Sequence, residues 1–163
     1  MNLPKPRVAA IVVLVASTAL LAGALAFQHL GGYAPCVLCH WQRYAHAATI
    51  VLALVALAAP RAAPLLLAGA GLALLTGAGI AVFHIGVEQH WWQGTAECGS
   101  AVSGAGSIEE LRARLLAQPV VRCDEVAWSL FGLSMAGYNF LASLVLGLLA
   151  IASALTSFRR AAR

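Results

Sequence analysis

Long apolar stretches alternate with shorter polar segments along the whole chain. A helix needs about 20 apolar residues to cross a bilayer, and in lipid each backbone group requires an internal partner, which a helix provides. The pattern predicts four membrane-spanning helices in one domain formed by residues 1–163, over about 8–27, 41–59, 65–84 and 138–156. The second span is short unless its helix begins near Cys39.

Two polar segments, about 28–40 and 85–137, connect these spans. Within the second, Ser107 is followed by Ile108, Glu109 and Glu110, a capping box that predicts a short helix over 107–117. Its apolar side chains fall on one face, which is typical of a helix lying on a bilayer surface; packing onto the bundle is the alternative. The expected fold class is an all-α membrane protein, a four-helix bundle with two outer loops.

Small residues recur every four positions in the third apolar stretch, at Gly69, Ala73, Gly77 and Ala81. This spacing places them on one helix face and allows a neighbouring helix to approach closely. We interpret the face as a packing surface.

Composition supports a membrane protein. Of the 163 residues, 61% are hydrophobic and 10% are charged, whereas soluble domains carry about a quarter charged residues. The alternative, buried helices of a soluble protein, lacks the polar surface needed to cover them. The net charge of +4 does not indicate nucleic-acid binding, because no basic patch is interleaved with aromatic residues.

The charges are segregated along the chain. All six acidic residues lie between the third and fourth spans, whereas six basic residues lie in the two termini and in the turn between the second and third spans. The basic residues concerned are Lys5, Arg7, Arg61, Arg159, Arg160 and Arg163. The positive-inside rule predicts that both termini are cytoplasmic and that the loops at 28–40 and 85–137 lie on the outer side.

The first span also has features of a cleaved signal peptide, with Lys5 and Arg7 before it and Ala24-Leu25-Ala26 near its end. We expect it to be retained, because its apolar run exceeds the roughly 7–15 residues of that class. The orientation of the remaining spans is the same in either case.

The chain has four cysteines, Cys36, Cys39, Cys98 and Cys123, all in the predicted outer loops. An even number on an oxidising side indicates disulfides. A structural bridge would account for Cys98 and Cys123, but a C-x-x-C disulfide closes too small a loop to stabilise much. The spacing of Cys36 and Cys39 therefore indicates thiol exchange. A zinc site completed by His40, His90 or the other cysteines is the chemical alternative.

A helix that starts after Pro35 would carry Cys36 and Cys39 at its N-terminus, where the helix dipole stabilises a thiolate. Arg43 and His46 would continue the same stripe. An arginine at the edge of a membrane span indicates a functional site, although snorkelling to the interface is an alternative. His84 lies at the matching depth on the third span, one turn before Glu88.

These motifs resemble the bacterial DsbB family of disulfide bond formation proteins. "CVLCHWQR" follows the first span, a cysteine pair lies in the second outer loop, and "CDEVAWSLFGLSM" enters the fourth span. The similar vitamin K epoxide reductase-like family instead carries its C-x-x-C after the loop pair. The resemblance implies a quinone-dependent, disulfide-generating oxidoreductase of the bacterial inner membrane.

The resemblance also implies residue roles. Cys98 and Cys123 would form the disulfide that a periplasmic thioredoxin-fold oxidase resembling DsbA attacks, with Cys98 in the mixed disulfide. Cys36 would exchange with Cys123, and Cys39 would face ubiquinone or menaquinone beside Arg43 and His84. From the residues themselves, a guanidinium at Arg43 is expected to lower the pKa of Cys39.

Two functions of other classes stay open at this point. One is a membrane protein that binds or transports a metal through Cys and His ligands, although no metal ligand set is assigned. The other is a structural four-helix scaffold stapled by disulfides.

Overall fold

The computed structural model describes residues 5–98, 107–109 and 121–161. Its long elements are four helices, α1 (Pro6–His29), α2 (Val37–Ala58), α3 (Ala63–Glu88) and α4 (Met135–Ala161). The fold is mostly helical, as expected, and each predicted span falls on one of these helices. Beyond residues 107–109, the predicted surface helix over 107–117 lies outside the described residues.

The helix ends follow local sequence chemistry. Pro6 is the first residue of α1 and Pro64 lies in the first turn of α3, where a missing N–H leaves no bond unmade. Helix α2 begins at Val37 with Cys36 as its N-cap, whose sulfur accepts from the Cys39 backbone N–H at 3.3 Å. The C-x-x-C motif therefore lies at a helix N-terminus, as its sequence indicates.

The four helices pack as a ring in which α1 contacts α2, α2 contacts α3, α3 contacts α4, and α4 contacts α1. Small residues let the backbones approach closely. Gly77 of α3 lies against Ala45 of α2, so the predicted stripe of small residues faces α2. A second close approach joins α3 to α4 at Gly71 and Gly147: a Cβ added at Gly71 would lie 3.0 Å from the Gly147 carbonyl oxygen.

Among the described residues, three helices are long and apolar enough to cross a membrane: α1, α3 and α4. Helix α2 is not one of them, in contrast to the expectation of four such spans. The physical reason is that its first half carries polar side chains, including Gln42, Arg43 and His46. Large apolar side chains are exposed on the outer surface of all four helices, as bilayer contact requires; examples are Val15 (61%), Val51 (59%), Leu72 (61%) and Val145 (64%).

The described residues also contain a small β-hairpin that an all-α expectation missed. Strands β1 (Ser129–Leu130) and β2 (Leu133–Ser134) pair antiparallel just before α4. Their turn has positive φ at Phe131 (51°) and Gly132 (79°), the pattern of a tight hairpin turn. Strands of two residues are too short to produce a periodic sequence signal.

After α3 the chain folds back over its own helix. The Trp92 ring stacks on Phe83, and its Nε1 donates to the Phe83 carbonyl at 2.9 Å. The ring also lies over Gly86, where a Cβ would overlap it. This return brings the short 3₁₀ turn Ala96–Cys98 to the outer end of the bundle.

Candidate thiol exchange site

All four cysteines gather at the outer end of the bundle in one buried cluster with Leu38 and Val87. Cys98 and Cys123 form a disulfide with Cα atoms 5.2 Å apart. Cys36 and Cys39 are free thiols whose sulfurs are 2.9 Å apart. The structure thus places an oxidised pair and a reduced pair side by side.

The reduced pair is chemically asymmetric. Both sulfurs precede the predicted span at 41–59. The hydrogen bond with Cys39 lowers the pKa of Cys36 to about 4; burial opposes this change, and the His84 ring assists it. The pKa of Cys39 is raised, first by its hydrogen bond to Cys36 and then by burial. The thiolate therefore resides on Cys36, and the Cys39 thiol donates to it.

Arg43 lowers the pKa of Cys39 as expected, but the net shift of Cys39 is upward. The charge of Arg43 acts in the expected direction but is the smallest of the causes, and the shared proton outweighs it.

His84 is buried against the reduced pair. Its Nε2 lies 3.6 Å from the Cys36 sulfur and 3.9 Å from a Glu88 carboxylate oxygen. The backbone of Cys123 is a further hydrogen-bond partner of the ring. Glu88 accepts from the Ser134 hydroxyl at 2.5 Å. His84 thus lies between the two cysteine pairs, in contact with Cys36.

The sequence predicts that four residues form one stripe on α2: Cys36, Cys39, Arg43 and His46. In the structure only the two cysteines lie together, and the other two side chains point elsewhere. Arg43 is half-buried and donates to Gln28 Oε1 at 2.5 Å and to the Ala24 carbonyl at 3.2 Å, both on α1. His46 points into the bundle, with Nε2 2.8 Å from Asn139 Oδ1 on α4. A helical stripe spans too wide an arc for all its members to face one site.

Two further polar residues join this site, Gln42 and Asn139, neither of which was expected from the sequence. Gln42 Nε2 lies 3.0 Å from His84 Nδ1, and Asn139 Nδ2 donates to Gln42 Oε1 at 2.6 Å. The available signal was their polarity within otherwise apolar stretches, which indicates a functional or paired residue inside a membrane.

Only one group of metal-ligating side chains emerges from the described part of the chain. The ligand atoms of Cys36, Cys39 and His84 lie within 4.8 Å of one another. No fourth His, Cys, Asp or Glu of the described residues joins them, whereas structural zinc sites are almost always four-coordinate. His40 is exposed, and His90 lies in the turn after α3, so neither completes the set proposed as a zinc alternative.

An open cleft of about 700 Å³ adjoins the disulfide and reaches the surface. Trp91, Trp92, Cys98, Arg122 and Asp124 are among its lining residues. Arg122 donates two hydrogen bonds to the Asp124 carboxylate, at 2.9 and 2.6 Å, and these lower the pKa of Asp124. The cleft gives another molecule access to Cys98 from outside the bundle.

Comparison with known proteins supports the same chemistry. The family model described as "Disulfide bond formation protein DsbB" matches residues 6–153. "Disulfide bond formation protein B" from Polaromonas sp. is 32% identical over 153 residues, covering 90% of this chain and 89% of the relative. "Disulfide bond formation protein B 2" from Pseudomonas aeruginosa is 34% identical over 154 residues, covering 88% and 86%. No solved structure is significantly similar to this chain.

Proposed function

This chain belongs to the DsbB family of membrane-bound, disulfide-forming proteins, and from this premise we propose that it is a thiol:quinone oxidoreductase. Its protein substrate is a periplasmic thioredoxin-fold dithiol oxidase resembling DsbA, and its electron acceptor is ubiquinone or menaquinone. The observation that carries this proposal is the contiguity of the Cys98–Cys123 disulfide with the Cys36–Cys39 thiol pair in one buried cluster.

The proposed exchange begins at the exposed cleft. A thiolate of the partner attacks Cys98, forms a mixed disulfide and releases the Cys123 thiolate. Cys123 then attacks Cys36 of an oxidised Cys36–Cys39 pair, so that a Cys36–Cys123 disulfide forms and the Cys39 thiolate leaves. When the partner's second thiolate displaces Cys98, Cys98 attacks Cys123 and Cys36 leaves as a thiolate. Each step breaks one disulfide as it forms another, so no external oxidant enters until the Cys36–Cys39 pair is reoxidised.

Energetics support a quinone as the final acceptor. The DsbA-type oxidase has a reduction potential of about −120 mV, and each ~30 mV of potential difference corresponds to about 1.4 kcal/mol for two electrons. A glutathione pool is too reducing to reoxidise such an oxidase, whereas a quinone dissolved in the membrane can accept the two electrons. The residues fit this acceptor: Cys39 is the more exposed residue of its pair, and Arg43, one turn further along α2, supplies a positive charge that favours anions.

The proposed topology has four spans in the bacterial inner membrane, both termini in the cytoplasm, and one domain over residues 1–163. Helix α2 would be the second span, its polar side chains covered by neighbouring helices. The basic residues at the termini and at Arg61 support this orientation.

The direct test mixes the purified protein with a reduced thioredoxin-fold dithiol and a soluble quinone, and follows quinone absorbance. We expect stoichiometric quinone reduction that is lost in each of the variants Cys36→Ser, Cys39→Ser, Cys98→Ser and Cys123→Ser. Quinone reduction that persists without Cys98 or Cys123 would refute electron transfer through both pairs.

The grouping of Cys36, Cys39 and His84 favours one alternative, binding of a metal ion. Elemental analysis of the purified protein distinguishes the two functions. Metal binding predicts a stoichiometric ion and no quinone reduction, whereas the proposed oxidoreductase is active after treatment with a chelator. Unreactive disulfides with neither property would instead indicate a structural scaffold.

A further inference from the structure

A network of hydrogen-bonded side chains, buried except for the partly buried Asn139, runs from His46 through α4 to the Cys36 sulfur. His46 Nε2 lies 2.8 Å from Asn139 Oδ1, and Asn139 Nδ2 donates to Gln42 Oε1 at 2.6 Å. Gln42 Nε2 lies 3.0 Å from His84 Nδ1, and His84 Nε2 lies 3.6 Å from Cys36 Sγ. Successive contacts link three helices through side chains alone.

The direction of hydrogen bonding along this network determines which ring nitrogen carries the proton in each of the two histidines. An amide nitrogen can only donate, so Gln42 Nε2 requires an unprotonated Nδ1 on His84. The neutral His84 ring then carries its proton on Nε2, the nitrogen that faces Cys36. At the other end, Asn139 Oδ1 accepts from His46 Nε2, so Nε2 is also the protonated nitrogen of His46.

Burial keeps the hydrogen bonds of this network in this donor-to-acceptor direction. The exposed fractions of Gln42, His46 and His84 are 6%, 4% and 5%. Reversing Gln42 alone would bring two N–H groups face to face, and reversing Asn139 alone would bring two carbonyl oxygens together. Either leaves polar groups unpaired inside the bundle, which is costly. Reversing every hydrogen bond of the network would move the His46 proton to Nδ1, which has no partner among the described residues. That change would leave a buried N–H without an acceptor.

We propose that Gln42 and Asn139 are positioning residues that hold neutral His84 with its Nε2–H directed at Cys36, so that His84 stabilises the Cys36 thiolate. This inference rests on the proposed exchange between the two cysteine pairs. It assigns a use to polar side chains that a lipid-facing helix would not carry.

The step concerned is the release of Cys36 from Cys123. The Cys98 thiolate attacks Cys123, the sulfur–sulfur bond between Cys98 and Cys123 forms, and the bond between Cys36 and Cys123 breaks with its electron pair left on Cys36. A hydrogen bond from His84 stabilises the charge that develops on the leaving sulfur, and no proton is transferred. Cys39 also faces this region, as the second donor to Cys36. The Glu88 carboxylate and the Cys123 backbone compete with Cys36 for the imidazole N–H of His84.

The test measures iodoacetamide alkylation of Cys36 in the full-length protein between pH 3 and pH 9, with peptide mass spectrometry to separate Cys36 from Cys39. The positioning variants are Gln42→Met and Asn139→Leu, and His84→Leu removes the donor itself. The matched control is Thr49→Val. Thr49 is buried on α2, but it bonds to the carbonyls of Ala45 and Ala70 and takes no part in the hydrogen-bond network.

We expect both positioning variants to raise the pH midpoint of Cys36 alkylation by about one unit, which slows alkylation below the midpoint about tenfold. Thr49→Val should leave the midpoint unchanged. The double variant Gln42→Met/His84→Leu should shift it no further than His84→Leu alone, since Gln42 acts through His84.

Wild-type midpoints in folded Gln42→Met and Asn139→Leu proteins would overturn the proposal, as would additive shifts in the double variant. If His84→Leu does not fold, the two positioning variants against Thr49→Val still decide it. Alkylation requires neither partner nor quinone. A normal set of alkylation shifts without quinone reduction would therefore refute the proposed function, and the converse result would refute only the positioning role.

Discussion

Two cysteines only three residues apart have pKa values shifted in opposite directions. Cys36 has its pKa lowered to about 4 mainly by Cys39, whereas the same hydrogen bond raises the pKa of Cys39. As pH rises through about 4, the thiolate therefore accumulates on Cys36, the sulfur that would exchange with the disulfide.

This asymmetry predicts the effect of removing the donor. Cys39→Ala should reduce the thiolate fraction of Cys36 at pH 6 to about a tenth or less, because its largest stabilising contact is lost. Cys39→Ser, which retains a hydroxyl donor, should have a smaller effect. The rate of Cys36 alkylation at pH 6 measures both, and equal rates in wild type and Cys39→Ala would contradict this account.

Arg43 gives a second prediction at this scale. Arg43→His should raise the apparent KM for quinone about tenfold, since a hydrogen bond to a charged group contributes about 1.5–3 kcal/mol. Arg43→Lys should fall between His and wild type, because it keeps the charge without the planar fork. The KM for the dithiol partner should stay near that of wild type.

The contact between Arg43 and α1 supplies the control for that experiment. Gln28→Met removes the side-chain acceptor of Arg43 but leaves its charge. If Gln28→Met reproduces the full loss of quinone affinity, Arg43 acts by joining α2 to α1 and its charge has no separate role at the quinone site.

The individual residues of the site were only partly predictable. The C-x-x-C motif identified Cys36 and Cys39 because its spacing is a local property. Which nitrogen of His84 faces Cys36, and that Gln42 and Asn139 meet it, depends on how three helices are rotated about their axes. Apolar periodicity in a membrane constrains those rotations weakly, since both lipid-facing and core positions are apolar.

At the level of helices, two close approaches hold α3 in place. Gly77 lies against α2, and Gly71 lies opposite Gly147 of α4. The sequence indicated the first through its repeat of small residues. The second involves a glycine pair on two helices far apart in sequence, and the repeat gives no sign of it.

The α3–α4 approach predicts a destabilising substitution with a matched control. Gly71→Ala should lower the free energy of unfolding by about 1–3 kcal/mol, because its Cβ would lie 2.7 Å from an Ile151 side-chain carbon and 3.0 Å from a backbone oxygen. Gly79→Ala, with nothing within 4 Å of its Cβ, should not destabilise. Unfolding in mixed micelles compares the two, and equal stabilities would contradict the proposed contact.

The helices themselves were the most predictable feature. The spans expected over 8–27, 65–84 and 138–156 lie within α1, α3 and α4, because a membrane selects long apolar helices. Helix α2 begins four residues before the span expected over 41–59 and is more polar than an independent span. The hairpin at residues 129–134 was missed, since each strand has only two residues and Phe131 is an unusual residue at a turn position with positive φ.

For the molecule as a whole, charge segregation predicts the topology. Reporter fusions after Arg61 and Arg163 should be cytoplasmic, and a fusion near Gly104 should be periplasmic. Reporter enzymes active only on one side of the membrane measure this. A periplasmic Arg163 would require an odd number of spans.

The cleft beside Cys98 predicts how the partner binds. A DsbA-like oxidase that lacks its resolving cysteine should form a trapped mixed disulfide through Cys98, visible as a heavier band without reductant. Cys98→Ser should abolish the band, and Cys123→Ser should not. The opposite pattern would exchange the roles of Cys98 and Cys123.

The hydrogen-bonded side chains inside the bundle also have a consequence for biogenesis. In the proposed topology Gln42 and His46 enter the membrane with α2, but Asn139 is synthesised about 100 residues later, on the last helix. Until α4 arrives, α2 would expose an unpaired amide and imidazole to lipid, which disfavours its release from the insertion machinery. Completion of the bundle would then be the event that commits the second helix to the bilayer. A chain truncated before α4 should be recognised by membrane quality-control proteases, even though its remaining helices are intact.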